Sequence, residues 1–180
     1  MSASHKSSKP PAALSVRPLS ATDIDAVMRI QLQCYGEHFA EPRAVFLRRL
    51  QTAWHCSWAA VRGDEVIAYL AAYWSRPGTI TPLNGDFAEY QDASVLYLHD
   101  MAVSPAAAGR GAAGRLLAAV YQQARQRNIR QAALVSVQGS QAYWERQGFR
   151  ATQVTNAAQQ QHLATYGAGA LYMVGKIRHE

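Results

Sequence analysis

Leu96-Tyr97-Leu98-His99-Asp100-Met101-Ala102-Val103-Ser104-Pro105 runs through Ala106-Ala107-Ala108 into Gly109-Arg110-Gly111-Ala112-Ala113-Gly114. The first stretch reads as an apolar strand that stops at Ser-Pro. The second reads literally as G-x-G-x-x-G. Glycines let the main chain approach a phosphate closely. A helix that follows them points its free N–H groups and positive dipole end at the anion. A helix is predicted here, with Ala113, Leu116, Leu117, Val120 and Ala124 on its buried face.

The glycines do not form a nicotinamide site. A dinucleotide fold places them directly after its first strand and needs an acid about 20 residues further on for the ribose. Here Ser104 to Ala108 separate strand from glycines, and Gln131 to Gln138 contains no Asp or Glu.

Outward from this centre the chain alternates between strand and helix signals. Leu14 to Arg17 reads as a first strand. Ser20-x-x-Asp23 resembles a capping box for a helix carrying Ile24, Val27, Met28 and Cys34 on one face. Glu41-Pro42 opens a second helix with Phe46, Leu47, Leu50 and Trp54 as its apolar stripe. Ser57–Val61 and Val66–Trp74 read as a hairpin around Gly63-Asp64. Residues 75 to 94 form an excursion of a length that is usually functional or disordered. Ala132–Val137 reads as a central strand, and Ser140 caps a short helix through Arg146. Phe149–Val154 and Ala170–Ile177 close a final hairpin around a glutamine-rich loop. This order predicts a mixed α/β sheet.

A chain of 180 residues is expected to form one domain with a substantial core. Residues 1–13 are Ser-, Lys- and Pro-rich without an apolar segment, so a disordered tail is expected before a domain over 14–180. That absence favours the cytoplasm, and no membrane partner is expected. Cys34 and Cys56 lack metal-ligand spacing and read as reduced thiols, with no metal. The net charge of +6 is not gathered into basic runs interleaved with aromatics. A polyanionic small molecule accounts for it as well as a nucleic acid would, and no nucleic-acid partner is expected.

Met101-Ala102-Val103-Ser104-Pro105 followed by Ala108-Gly109-Arg110-Gly111-Ala112-Ala113 resembles the loop of the GNAT N-acetyltransferase superfamily. Tyr143-Trp144-Glu145-Arg146-Gln147-Gly148-Phe149 is similar to that family's second signature. The resemblance implies a mixed, mostly antiparallel central sheet of six to seven strands. About four helices flank it, and it splays at the strand that meets acetyl-CoA. It implies acetyl-CoA as donor, with the pyrophosphate on backbone N–H groups from Ala108 to Gly114. Met101, Ala102 and Val103 would line the pantetheine arm, and the Met101 N–H would polarise the thioester carbonyl. Arg110 and Arg115 would approach the phosphates or remain solvated charges. Two residues depart from the pattern. Ala108 stands where the family has Arg or Gln, and Trp144 stands where many members have a tyrosine acid. The resemblance also allows a homodimer.

Acetyl transfer to an amine needs a neutral nucleophile and a group to receive its proton. Histidine titrates near working pH. His99 lies two residues before Met101, and strand alternation puts it with Tyr97 on one face, with Leu98 and Asp100 on the other. His99 is therefore the candidate base, against a purely structural role. Tyr143 is the nearest candidate acid for the departing thiolate, against core packing. Tyr35, Glu37, His38 and Phe39, with Glu41 beside them, are the expected acceptor wall, joined by acids of the excursion. The expected reaction is direct attack of a small-molecule or peptide amine on acetyl-CoA in a ternary complex. The alternative is an acyl-CoA-binding domain without catalysis.

Overall fold

The structure is a computed structural model that describes residues 12–37 and 39–177. Strands β1 (Leu14–Pro18), β2 (Trp58–Arg62), β3 (Glu65–Ser75) and β4 (Val95–Val103) form an antiparallel meander. β4 then pairs in parallel with β5 (Gln131–Ser136). β7 (Leu171–Lys176) and β6 (Arg150–Ala151) complete a seven-stranded sheet in the order β1-β2-β3-β4-β5-β7-β6. The parallel pair requires a crossover, which α3 (Ala112–Gln126) supplies.

The helices cover both faces. α3 buries Ala112, Leu116, Leu117, Val120 and Ala124 against one face, and α4 (Gln141–Arg146) adds Trp144 there. Ala112 takes the buried place expected of Ala113, which is half-buried. α1 (Ile24–Tyr35) and α2 (Arg43–Leu50) pack on the other face through Val27, Ile30 and Phe46. β3 is buried along almost its whole length, as a strand covered on both faces must be.

The sheet splays where the donor strand was expected to part from its neighbour. β4 and β5 pair from Val95–Gln131 to Leu98–Leu134, and the ladder ends there although both strands continue. At the same level β4 bulges. Ala71 faces Asp100 and Ala72 faces Leu98, so His99 has no opposite number on β3. The bulge overturns the strict alternation expected at this point. Asp100 turns to the α1 face with His99, where it meets Tyr35 and Tyr69, instead of following Leu98.

Two other expectations change. The glutamine-rich stretch is a helix, α5 (Ala157–Ala164), capped by Asn156 accepting from the Gln159 N–H at 3.1 Å. Among the described residues that makes five helices, in keeping with the about four expected, and shortens β6 to two residues. Ser140 does sit at the start of α4, but its hydroxyl bonds Ser136 at 2.9 Å and caps nothing. The expected capping box is present, with the Ser20 N–H donating to Asp23 at 2.9 Å.

Candidate active site

A cavity of about 220 Å³ occupies the split between β4 and β5. Leu98, His99, Asp100 and Met101 line it from β4, and Leu134 and Val135 from β5. Tyr143 and Trp144 close it on the α3 side. Tyr35, Phe39, Leu83 and Tyr166 close it on the α1 side.

The donor half is made of main chain. The Ser104 N–H donates to Ile67 O at 2.8 Å, and alternation along β4 then turns the N–H groups of Met101 and Val103 away from β3. They face the side that β5 has left. Beyond Val103 a single 3₁₀ turn (Pro105–Ala107) leads to Gly109 and Gly111, at φ 72° and 82°. Gly111 is the N-cap of α3, whose first N–H groups have no acceptor within the helix. A Cβ at Gly109, Gly111 or Gly114 would meet nothing within 4 Å, so the loop stands in open space at all three glycines. An anionic pyrophosphate fits that cradle. Ala108 and Arg110 are exposed at its rim. Arg115 donates to Leu14 O at 2.8 Å, which ties α3 to β1.

The acceptor half is made of long-range side-chain contacts. Glu41, just before α2, receives Arg49 in a two-pronged pair at 2.7 and 2.8 Å. His99 Nε2 lies 2.8 Å from the same carboxylate and 3.1 Å from Arg49 Nη1. The three side chains are only 3%, 1% and 3% exposed. The Asn84 N–H donates to Glu41 at 2.9 Å, and Arg49 Nε donates to Gly85 O at 3.0 Å. Arginine cannot accept, so the Nε2 hydrogen of His99 is assigned to Glu41. That leaves Nδ1, which is buried and has no partner. Burial alone would raise the Glu41 carboxyl, but His99 and Arg49 more than offset it and hold it well below the usual carboxylate range.

Asp100 accepts the hydroxyls of Tyr35 at 2.7 Å and Tyr69 at 2.5 Å. Burial raises its carboxyl above the ordinary range, against those two donors. Tyr35 also reaches Met101 O at 2.9 Å. Tyr143 packs edge-on to Trp144, and burial pushes its hydroxyl above the ordinary phenol range.

The structure thus gathers His99, Tyr143, Met101, Tyr35 and Phe39 around one cavity. Glu37 is exposed and is not among the lining residues. His38 lies outside the described residues. Asp86 of the excursion pairs with Arg48 on the surface. Arg49 was missed as a site residue, and so was the turn of Asp100 onto the same face as His99. Arg49 had a signal, for it falls one turn after Val45 on the buried stripe of α2, where an arginine needs a buried partner. Asp100 had none, because a bulge leaves no mark in an apolar alternation. Among the described residues no group of His, Cys, Asp and Glu could hold a metal ion, and no helix is long and apolar enough to cross a membrane.

Residues 24–149 match the model of the acetyltransferase (GNAT) family. No curated protein matches the chain in sequence. The fold is similar to that of the ribosomal-protein-S18-alanine N-acetyltransferase from Escherichia coli, at 15% identity and TM-score 0.67, covering 93% of this chain and 96% of that one. The loading GNATL domain of CurA from Lyngbya majuscula superposes at TM-score 0.70 and 12% identity, over 93% and 100% of the two chains. The PaiA N-acetyltransferase from Thermoplasma acidophilum, solved with coenzyme A, gives 0.65 at 12% identity, over 91% and 99%.

Proposed function

The chain belongs to the acetyltransferase (GNAT) family, and on that premise we propose that it transfers an acetyl group from acetyl-CoA to a primary amine by direct attack. The observation that carries this reading is the placement of a side chain with a free ring nitrogen, His99, in the cavity at the splayed strands.

Each half of the cavity has a task. The amides from Ala108 to Gly114 and the end of α3 hold the pyrophosphate. The vacated edge of β4 pairs with the pantetheine arm, and the Met101 N–H polarises the thioester carbonyl. The amine enters as an ammonium and gives one proton to His99 Nδ1, directly or through a water. Its lone pair attacks the carbonyl carbon, the tetrahedral intermediate loses a second N–H proton to water, and its collapse breaks the C–S bond. The departing thiolate takes a proton from solvent or from Tyr143. Of the phenols lining the cavity, Tyr35 and Tyr166 donate to Asp100 and to Thr81 O, which leaves Tyr143 for the donor side. Glu41 acts through His99 and is a positioning residue. By holding the Nε2 hydrogen it makes Nδ1 the basic nitrogen.

A non-catalytic acyl-CoA-binding role is the second reading, favoured by Ala108 and Trp144 at two positions where the family usually carries functional side chains. Thiol release from acetyl-CoA over a panel of amines separates the two. Amine-dependent release is expected. Saturable binding of acetyl-CoA with no release on any amine would select the binding role.

A further inference from the structure

We propose that the acceptor is a small primary amine with an apolar remainder and no carboxylate, and that polypeptide N-termini and lysines are not acceptors. This rests on the acetyl-transfer reading above.

The α1 side of the cavity is roofed by two segments far apart in sequence, residues 78–85 and the α5 region. They are sewn together by side chains of one bonding the main chain of the other. Gln159 accepts from the Ile80 N–H at 2.6 Å, and Thr165 accepts from the Leu83 N–H at 2.9 Å. The Tyr166 hydroxyl donates to Thr81 O at 2.7 Å. The same stretch is anchored from below, at Asn84 by Glu41 and at Gly85 by Arg49. An acceptor polypeptide lies along an enzyme by pairing with exposed main chain or by filling a groove. In this roof the N–H groups of Ile80, Leu83 and Asn84 and the carbonyls of Thr81 and Gly85 are already taken. Leu83 and Tyr166 instead come from the two segments to line the cavity.

The charges select within small molecules. Glu41 and Asp100 line the cavity, and among the described residues no lysine or arginine does. Arg49 stands behind Glu41 and spends its donors on that carboxylate and on Gly85 O. An ammonium in the cavity thus finds Asp100 and His99 in its lining, with Phe39 and Leu83 as apolar lining for its substituent. A carboxylate on the acceptor would be desolvated next to Asp100 with no cation to receive it.

Phenethylamine and phenylalanine differ by one carboxylate, and a hexapeptide with a free N-terminal phenylalanine carries the same amine on a chain. The full-length protein should be assayed with acetyl-CoA and each of the three, reading thiol release. The kcat/KM for phenethylamine should exceed that for phenylalanine by at least about 100-fold, with no turnover of the peptide. Phenylalanine or the peptide within tenfold of phenethylamine would overturn the proposal and leave acetyl transfer standing. No turnover of any acceptor while acetyl-CoA binds would overturn the acetyl-transfer reading itself. Leu83→Ala tests the roof, because Leu83 takes no part in the chemistry. It should raise the preference for 4-phenylbutylamine over phenethylamine by about tenfold. An unchanged ratio would show that the roof does not bound the acceptor, which also overturns the proposal.

Discussion

The two halves of the cavity are built by opposite means. On the side proposed for the donor, main chain forms the cradle. Gly109 and Gly111 turn the loop, α3 supplies free amides, and the departure of β5 uncovers the edge of β4. Every part lies between residues 95 and 136. On the side proposed for the acceptor, side chains form the wall, and they come from far apart: His99 meets Glu41 across 58 positions, and Tyr166 meets Thr81 across 85. A region made of main chain tolerates changes of side chain and fails when its conformation is lost. A network of buried charges fails when any one member is removed.

The largest effect that would sharpen this contrast is on stability. Arg49→Met leaves Glu41 buried without its cation, which costs about 3–5 kcal/mol. Chemical denaturation should show that loss. The Glu41→Leu, Arg49→Met double variant should recover much of it, since no charge is then left unpaired. The pair also sets an acid limit. Glu41 is held below its unfolded value, so its stabilisation is complete above the ordinary carboxylate range and fades as the pH falls through and below it. Denaturation midpoints from pH 7 to pH 3 should fall less steeply in Glu41→Gln than in the unaltered protein. An equal slope would show that Glu41 is not the group responsible.

Next in size is the loss of the base. His99→Gln should lower kcat by about 100-fold, the low end of what a positioned proton acceptor supplies. The affinity for acetyl-CoA should not change, because His99 lies outside the donor half. Glu41→Gln should shift the pH–rate profile, because an amide holds the imidazole less firmly in one tautomer. Unaltered turnover and pH profile in His99→Gln would remove the residue from the mechanism.

This division also explains what could be read from sequence. The strand, the glycine turn and α3 were legible because each depends on a local pattern: apolar alternation, positive φ, helical spacing. The splay between β4 and β5 followed from the family resemblance. The Glu41–Arg49–His99 cluster was not legible as a unit, since nothing in a linear chain says that residues 41, 49 and 99 will meet. α5 was missed for a different reason. It buries no residue and its centre is Gln159-Gln160-Gln161-His162, so it lacks the apolar period that marks a helix, although Asn156 before a run of Ala and Gln was a sound start signal. The bulge at His99 was invisible because two neighbouring polar residues fit either face of an alternating strand.

Within the donor half, two glycines separate conformation from space. Gly111→Ala forces a left-handed residue, at about 1–2 kcal/mol. The protein should become less stable and bind coenzyme A more weakly, by about tenfold. Gly114 is helical and has no neighbour within 4 Å. Gly114→Ala should therefore raise stability by about 0.5–1 kcal/mol while weakening coenzyme A binding, measured by calorimetry, because the new methyl enters the open space at the loop. Tighter or unchanged binding in Gly114→Ala would mean that the phosphates sit elsewhere.

The smallest effect is expected at Tyr143. It stands beside Trp144, one residue from the family's usual acid position, which turns it by about 100° around the short α4. Burial raises its hydroxyl above the ordinary phenol range, so it holds its proton at neutral pH and releases it reluctantly. A thiolate is a stable leaving group that water can protonate. Tyr143→Phe should then lower kcat by about threefold, well short of the ~100-fold that general-acid catalysis contributes. Its ring should matter more than its hydroxyl, because the edge contact with Trp144 holds the donor wall. Tyr143→Ala is expected to raise the KM for acetyl-CoA where Tyr143→Phe does not. If Tyr143→Phe instead costs the full hundredfold, the donor half depends on a side chain after all, and the contrast between a main-chain half and a side-chain half breaks at that residue.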